Sequence, residues 1–365
     1  MDGLVGVDFL SSVQGTIREL KSFDKKTVFS VSTTAKHEDG SYLTPVRVCK
    51  DFVLAGCVIF DQKDLSNLLR EIDGHVDIIL SDSEKTIHLD ANESDQALAQ
   101  RTPKSGKVTI SSICFHNIKT SHVLEFKPND LTVNAVWSFL SQQLIYLHGK
   151  KICILGAGNI GSKLALKLSE CGAKVRIYRR NTERGKQIVD GLNLIKSDGG
   201  QTEIEFYSDP AKASAMADVL IGATSGYPII DENIIDNIKK NCLLVDLGKN
   251  NLTSNAIKIA IQNSMTIYRA DVTPALESFI YEVLKMEDIL ENSYGCRSFD
   301  FCNIVGGGFF GGLGDIVVDR INNPTRIIGV AQGDGVLKRT LNTNDRNNIN
   351  KIINKFDILK DKYLE

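Results

Sequence analysis

The sequence predicts an α/β protein of two lobes, and three observations predict it. Short apolar runs alternate with amphipathic helical stretches along most of the chain, the pattern of parallel sheets covered by helices. A Gly-x-Gly-x-x-Gly turn at residues 156–161 sits between one such run and a helix. One long helical stretch, residues 131–147, leads directly into the strand of that turn and divides the chain into an earlier and a later lobe. The expected fold is an N-terminal α/β substrate lobe, then a doubly wound parallel sheet, then a C-terminal segment returning to the first lobe.

Ile152, Cys153, Ile154 and Leu155 form a continuous apolar run, as a strand covered on both faces requires. Gly156 permits the tight turn, Gly158 lets the backbone approach a pyrophosphate, and Gly161 lets helix and strand pack closely. Asn159 and Ile160 complete the turn. Ile160, Leu164, Leu168 and Cys171 recur at helical spacing, and Gly172 stops the helix before the strand Val175, Arg176, Ile177, Tyr178. Strand, glycine turn, helix and second strand in that order make a Rossmann dinucleotide site.

An NAD site places Asp or Glu about 20 residues on, accepting from the ribose 2′-hydroxyl. Here that place holds Arg179, Arg180, Asn181 and Thr182, with Arg184 beyond, and no carboxylate before Glu183. Guanidinium groups pair with phosphate oxygens in a two-pronged fork, so the expected cofactor is NADP(H). Further strands are read at 204–207, 219–223, 242–247 and 265–269, with helices opening at Asp209-Pro210 and Asp231. Strands of such a sheet turn their carboxyl ends to the ligand. Thr224, Ser225, Gly226, Gly248 and Asp271 are therefore expected to line the crevice.

The domains are expected at 1–130 for the substrate lobe, 131–149 for the connecting helix, 150–275 for the nucleotide lobe and 276–365 for the C-terminal segment. At 365 residues and 42% apolar content the chain has core enough for two lobes. In the first lobe a helix is read at 5–20, strands at 27–33 and 76–80, further apolar runs at 46–49 and 52–60, and an amphipathic helix at 63–72. Residues 91–107 are polar, read as a helix and loop; 108–115 read as a strand running into His116, and 122–126 as a short apolar strand. Val133, Val136, Trp137, Leu140, Leu144 and Leu147 make the stripe of the connector, capped by Thr132 or Asp130. After residue 271 a helix leaves the nucleotide lobe. Residues 306–314 then place six glycines in nine positions, a nest for a substrate anion, a lid, or a close-packing device. Strands at 316–318 and 326–330 precede a surface helix in an Asn-rich tail.

Forty-three basic against 45 acidic residues give no electrostatic argument for nucleic acid or an anionic membrane. The expected partners are a small-molecule substrate and a second copy in a homodimer. Eight cysteines without a C-x-x-C pair, no signal peptide and no apolar run of about 18 residues predict a soluble cytoplasmic protein with reduced thiols. The histidines show no metal-ligand spacing. Hydride transfer needs an acid or base beside the reacting carbon, and Lys85, His116 and Asp130 are the candidates. Cys49, Cys57 and Cys114 read as packing residues, with a thioester-forming nucleophile the alternative.

The lobe order, the connecting helix and the Arg-Asn-Thr after the second strand resemble the shikimate dehydrogenase family over about residues 129–250. Glutamyl-tRNA reductases and methylenetetrahydrofolate dehydrogenases share related two-lobe architectures. The resemblance implies the architecture and the NADP clamp. It matches Asp130 to the aspartate of the family's Asn-Thr-Asp-Gly motif, which works beside a lysine; here the place reads Pro128-Asn129-Asp130-Leu131-Thr132, without that Thr and Gly, and the Asn-Val-Thr-x-Pro-x-x-Lys segment is missing. A fainter resemblance to alanine dehydrogenases rests on residues 76–80 running towards Lys85 and 106–110 running to His116. The function expected is an NADP(H)-dependent oxidoreductase for a small polar carbonyl, hydroxyl or amino compound in a specialised biosynthetic step. The alternative is a non-catalytic NADP(H)-binding sensor or subunit.

Overall fold

The computed structural model describes residues 9–34, 40–88, 106–197, 202–224, 226–248, 250–308 and 311–358. Its contacts divide it into two compact units, Met1–Ala275 and Leu276–Glu365.

The first unit opens with α1 (Phe9–Lys21), then β1 (Lys26–Ser32), β2 (Tyr42–Val48), β3 (Phe52–Val58), α2 (Gln62–Ile72) and β4 (Ile78–Asp82). The small strands β5 (Thr86–His88) and β6 (Lys107–Thr109) pair with each other. After them come α3 (Ile110–Asn117), β7 (His122–Phe126) and α4 (Pro128–Gln143). The first sheet runs β2-β3-β1-β4-β7, parallel except where β2 lies antiparallel along β3. An interior position between β1 and β7 goes with the burial of β4: every residue in it is buried, including the polar Ser81 and Asp82. Helix α2 buries Leu65, Leu68, Leu69 and Ile72 at 3.6-residue spacing, and Asp61 caps it by accepting from the Asp64 N–H at 2.8 Å.

Two readings of this lobe are corrected. Residues 110–117 form a helix, not the continuation of a strand. Thr109 caps it by accepting from the Ser112 N–H, and Ile110, Ile113 and Cys114 go inward at i, i+3 and i+4. That spacing is helical, whereas β-branched content alone suggests a strand. The connector α4 starts at Pro128 and stops at Gln143, four residues short of Leu147. Ile145 then takes a left-handed φ of 63° and lies exposed. Neither Asp130 nor Thr132 caps α4. Its cap position is Lys127 without a side-chain bond, and Pro128 at the first turn supplies the preset φ. The helix and loop read at 91–107 fall mostly outside the described residues.

The nucleotide lobe contains β8 (Lys151–Leu155), α5 (Asn159–Glu170), β9 (Lys174–Tyr178), α6 (Thr182–Ile195), β10 (Glu205–Tyr207) and α7 (Pro210–Ser214). It continues with β11 (Val219–Gly222), α8 (Glu232–Asn237), β12 (Leu243–Asp246), α9 (Ser254–Gln262) and β13 (Ile267–Arg269). All pairings are parallel and the order is β10-β9-β8-β11-β12-β13, two three-stranded halves diverging from β8. This is the doubly wound Rossmann order. One apolar core forms around Ile152, Ile154, Val175, Ile177, Val219 and Leu164, and another around Cys153, Leu155, Leu220, Leu244 and Ile235. The two faces of β8 supply alternate residues to them, as a period of two demands. Trp137 is half-buried against the first of these cores, its indole N–H directed at Cys171 Sγ and Lys167 Nζ lying 4.3 Å from the ring centre.

The second unit takes up α10 (Thr273–Asn292), which begins in the first, and adds β14 (Cys296–Phe299), β15 (Cys302–Gly306), β16 (Ile316–Val318), β17 (Ile327–Val330) and α11 (Thr343–Phe356). The strands pair in chain order as a mixed sheet. What reads in the sequence as a surface helix buries Ile349, Ile352 and Ile353 against Ile304, Ile316, Val318 and Val330. The asparagines have structural work there: Asn342 and Asp345 form a capping box, and Lys338 reaches the buried Asp345 carboxylate at 2.8 Å. Within the glycine-rich stretch Asp315 accepts from the Gly312 N–H at 2.8 Å and from Asn303 at 3.1 Å; Phe309 and Phe310 lie outside the described residues.

Replacing Ile79, fully buried in the middle of β4, by Ala is expected to cost about 2–5 kcal/mol by removing methyl and methylene contacts that the sheet cannot close over. The midpoint of urea unfolding measures it, and a shift equivalent to less than about 1 kcal/mol would place Ile79 outside a packed core.

Candidate active site

The glycine turn after β8 performs three separable jobs. A side chain at Gly156, whose φ is +126°, would come 2.5 Å from the Ala223 carbonyl oxygen, so this backbone can lie against the end of β11 only without one. A Cβ at Gly161 would run into the Gly156 carbonyl oxygen, which sets how closely α5 packs on its own turn. A Cβ at Gly158 would meet nothing within 4 Å. Gly158 and Asn159 are exposed, Gly158 caps α5 without a side-chain bond, and the first hydrogen bond of the helix runs from Ser162 N–H to the Gly158 carbonyl. The N–H groups of Asn159, Ile160 and Gly161 thus have no partner within the helix and stand at its positive end, a cradle for an anion such as a pyrophosphate. The residues fit the dinucleotide.

The basic turn lies beside this cradle because β9 pairs with β8: Gly156 donates its N–H to the Tyr178 carbonyl at 3.0 Å. The five residues expected in the clamp divide by role. Arg179 folds back and donates to the Ala157 carbonyl of the glycine turn. Asn181 caps α6, accepting from the Arg184 N–H at 2.9 Å. Arg180, Thr182 and Arg184 are exposed around the positive end of α6.

Across the switch point, Thr224, Gly226 and Gly248 stand in the loops after the carboxyl ends of β11 and β12; Ser225 lies outside the described residues. Gly226 takes the left-handed φ of 77° and donates to the Thr224 carbonyl at 2.7 Å. Asn251, which the sequence reading missed, joins these loops through a buried amide bonded to Thr224 and to Asp246. A lone Asn among Asn250, Asn251 and Lys249 carries no sequence signal. Asp271, expected in the crevice, is exposed beyond the edge strand β13 and accepts from the Thr273 N–H at 2.9 Å, closing the turn into α10. The Thr273 hydroxyl and N–H, against some burial and with Arg47 nearby, hold its carboxyl below the usual range.

Of the acid–base candidates, Lys85 and Asp130 come to the same junction, through Glu84, Asn129 and Lys163, and His116 stands apart. Lys85 is the third residue after β4. Its N–H and that of Glu84 donate to Asp82 Oδ1 at 3.0 and 2.8 Å, and its carbonyl accepts from Ile110 N–H. Asp82, also missed, is buried. Burial pushes its carboxyl up despite the Ser32 hydroxyl and those two N–H groups. His116 lies in the last turn of α3, roughly 9 Å along the helix axis from the end that adjoins Lys85. Its expected place at a strand end is lost with the strand.

Asp130 sits in an ion-pair cluster. It pairs with Lys163 of α5 and with Lys127 at 2.9 Å. Lys163 also reaches Glu84 at 3.5 Å, and Glu84 accepts from the Asn129 N–H at 2.7 Å. Burial raises the Asp130 carboxyl, but the two ammonium groups outweigh it and hold it below the usual range. The cluster clasps the first lobe, the start of α4 and the helix of the glycine turn. Lys85, one residue from Glu84, is therefore at the lobe junction.

Among the described residues no three His, Cys, Asp or Glu side chains gather as a metal site, and no helix is long and apolar enough to cross a membrane. The buried Cys57 and Cys114 make poor nucleophiles. Burial pushes both thiols up, Cys114 to about 12, away from the reactive thiolate.

Comparison with known proteins gives this geometry a family context. Residues 139–267 match the model of shikimate / quinate 5-dehydrogenase. A glutamyl-tRNA reductase of Thermosipho melanesiensis is 26% identical over 118 residues, 32% of this chain and 30% of that protein, so the chain aligns with less than a third of this curated relative. The dipicolinate synthase A chain of Bacillus subtilis superposes with a TM-score of 0.36 at 13% identity, over 74% of this chain and 81% of that one. The ligand-free 5-ketofructose reductase of Gluconobacter sp. strain CHM43 does so at 0.35 and 16%, over 70% and 89%. The nucleotide lobe is of the shikimate dehydrogenase-like, NAD(P)-binding Rossmann type. The family match covers that lobe and the end of α4, and leaves the first lobe unmatched.

Two predictions separate these roles. Gly161→Ala is expected to cost about 1–3 kcal/mol through overpacking, whereas Gly158→Ala costs less than about 1 kcal/mol but lowers dinucleotide affinity. Urea unfolding and nucleotide titration measure the pair, and equal stability losses would contradict the division of labour. Asp130→Asn is expected to lose about 1 kcal/mol or less at neutral pH, since the pair is part-exposed. The folded carboxyl titrates below its unfolded value of about 3.9, so the wild-type advantage is present above that value and disappears as pH falls through the folded pKa. An advantage undiminished at pH 3 would show that the charge of Asp130 is not its source.

Proposed function

We propose that the chain is an NADP(H)-dependent oxidoreductase that acts on a small polar carbonyl, hydroxyl or amino compound held at the lobe junction. The observation that carries this reading is the alignment of two positive helix ends, those of α5 and α6, side by side with the exposed Arg180 and Arg184. A 2′-phosphate brings about two negative charges and suits the two arginines, while the residues directly after β9, where a carboxylate would accept from a bare 2′-hydroxyl, are Arg179 and Arg180, the first carboxylate being the exposed Glu183 in the first turn of α6. Arg179 is a brace: it holds the glycine turn against the basic turn and leaves phosphate recognition to its neighbours.

The bound cofactor would supply or accept the hydride. The work of this chain is orientation and proton handling. Lys85 is the acid–base candidate that the geometry favours, because it lies at the carboxyl edge of the first sheet beside the clasp. Its ammonium charge acts on the buried Asp82 carboxyl and opposes the upward push of burial there. Asp82, below it, orients the Glu84–Lys85 turn through two backbone N–H groups. Asp130 is held between Lys127 and Lys163, and its carboxylate is committed to those two ammonium groups in this structure. That engagement favours one second reading, a binding protein that senses NADP(H) without turnover.

Replacing Arg180 and Arg184 by Ala is expected to weaken NADPH about 10- to 100-fold, or about 1.4–2.8 kcal/mol, and to leave NADH within about twofold. Nicotinamide fluorescence reads both, and an equal loss for the two nucleotides would remove the 2′-phosphate assignment. A panel of keto and amino acids added to the NADPH complex then tests turnover. With a substrate in hand, Lys85→Met should keep cofactor affinity and lose about 10²- to 10⁴-fold in kcat; full activity in that variant would exclude Lys85.

A further inference from the structure

Asn251 is fully buried and yet stands at the carboxyl edge of the nucleotide sheet, where the loops after β11 and β12 meet. Its amide has one workable orientation. Oδ1 accepts the Thr224 N–H at 2.9 Å and bonds the Thr224 hydroxyl, while Nδ2 donates to the buried Asp246 carboxylate at 2.5 Å. Flipped, it would set NH₂ against N–H and oxygen against carboxylate. Its own carbonyl takes the N–H groups of Ile229 and Ile230, both at 2.9 Å. Two glycines leave the space: a Cβ at Gly222 would lie 2.5 Å from Asn251 Cβ, and one at Gly248 would lie 2.9 Å from Nδ2. Thr224, Gly226 and Gly248 are thereby held through one side chain and its neighbours, with Gly248 also donating to Asp246 at 3.3 Å.

A doubly wound sheet receives one half of a dinucleotide on each side of its switch point. The basic turn after β9 assigns the adenosine half to β8–β10, and the other half falls to β11–β13. We propose that Asn251 is a positioning residue for the nicotinamide half of the cofactor. It sets the separation of the loops after β11 and β12 and thus the wall on which that half rests. The inference rests on the NADP(H) reading above and adds to it a residue that need not touch the cofactor.

The test compares the whole protein with Asn251→Ala, Asn251→Asp and the exchanged pair D246N/N251D. Affinities are measured for NADPH and for adenosine 2′,5′-bisphosphate, which lacks the nicotinamide half, and urea midpoints are recorded beside them. Asn251→Ala is expected to keep the bisphosphate within about twofold and to bind NADPH about tenfold or more weakly. Asn251→Asp sets two carboxylates face to face, and its NADPH loss should shrink as pH falls and one of them takes a proton. The exchanged pair restores a donor and an acceptor in reversed order, and should bring NADPH back to within about threefold of wild type. Parallel loss of both ligands, unchanged NADPH affinity in a folded Asn251→Ala, or unfolding of both single variants would overturn the proposal. A wild-type protein that binds neither ligand would instead overturn the NADP(H) reading on which it rests.

Discussion

The close approach of backbone to backbone at the end of β8 is the constraint on which the rest of the nucleotide lobe depends. Gly156 lies against the end of β11 on one side and donates to β9 on the other, and Gly161 brings α5 down onto the same turn. None of these contacts tolerates a side chain. The two halves of the sheet diverge from this point, and the positive end of α5 opens beside it. Binding an anion here needs no dedicated cation, because unpaired N–H groups already point outward.

Charge is then added asymmetrically. On the β9 side, arginines and a second helix end make an anion-favouring surface, with Arg179 turned inward as a brace. On the β11–β12 side the ordering groups are a threonine, two glycines and the amide of Asn251 over the Asp246 carboxylate, with the exposed Arg269 3.8 Å from that carboxylate. Removing one partner from such a buried pair leaves the other unsatisfied at about 1–3 kcal/mol, so the arrangement persists as a set or not at all.

The lobe junction is organised by ion pairs of moderate exposure. Lys163 bridges Glu84 and Asp130, and the start of α4 is held through the Asn129 N–H. Pairs of this kind contribute little to stability individually. Their effect here is geometric: they register the turn that carries Lys85 against the helix of the glycine turn. Asp82 supports that turn from below at the cost of burying a carboxyl, and three donors offset part of that cost.

What the sequence by itself determined was local. Three glycines at set spacing after an apolar run dictate a strand–turn–helix, since each needs either a φ or a clearance that other residues deny. The helical stripe of α2 and the caps Asp209 and Asp231 were legible for the same reason, being side-chain chemistry read within one turn. Where periodicity was short, β-branched residues at 108–115 imitated a strand, and burial against β4 and α2 decided for a helix. Only the tertiary structure could show that Arg179 bonds a carbonyl 22 residues back in the chain while Arg180 is exposed. Only it could show that Asp130 pairs with a lysine 33 residues away and ties the start of α4 to α5. And only it could find Asn251, whose neighbours are ordinary and whose importance lies in two strands that meet around it. Motifs set by backbone sterics are written in consecutive residues; roles set by partners are written in the packing.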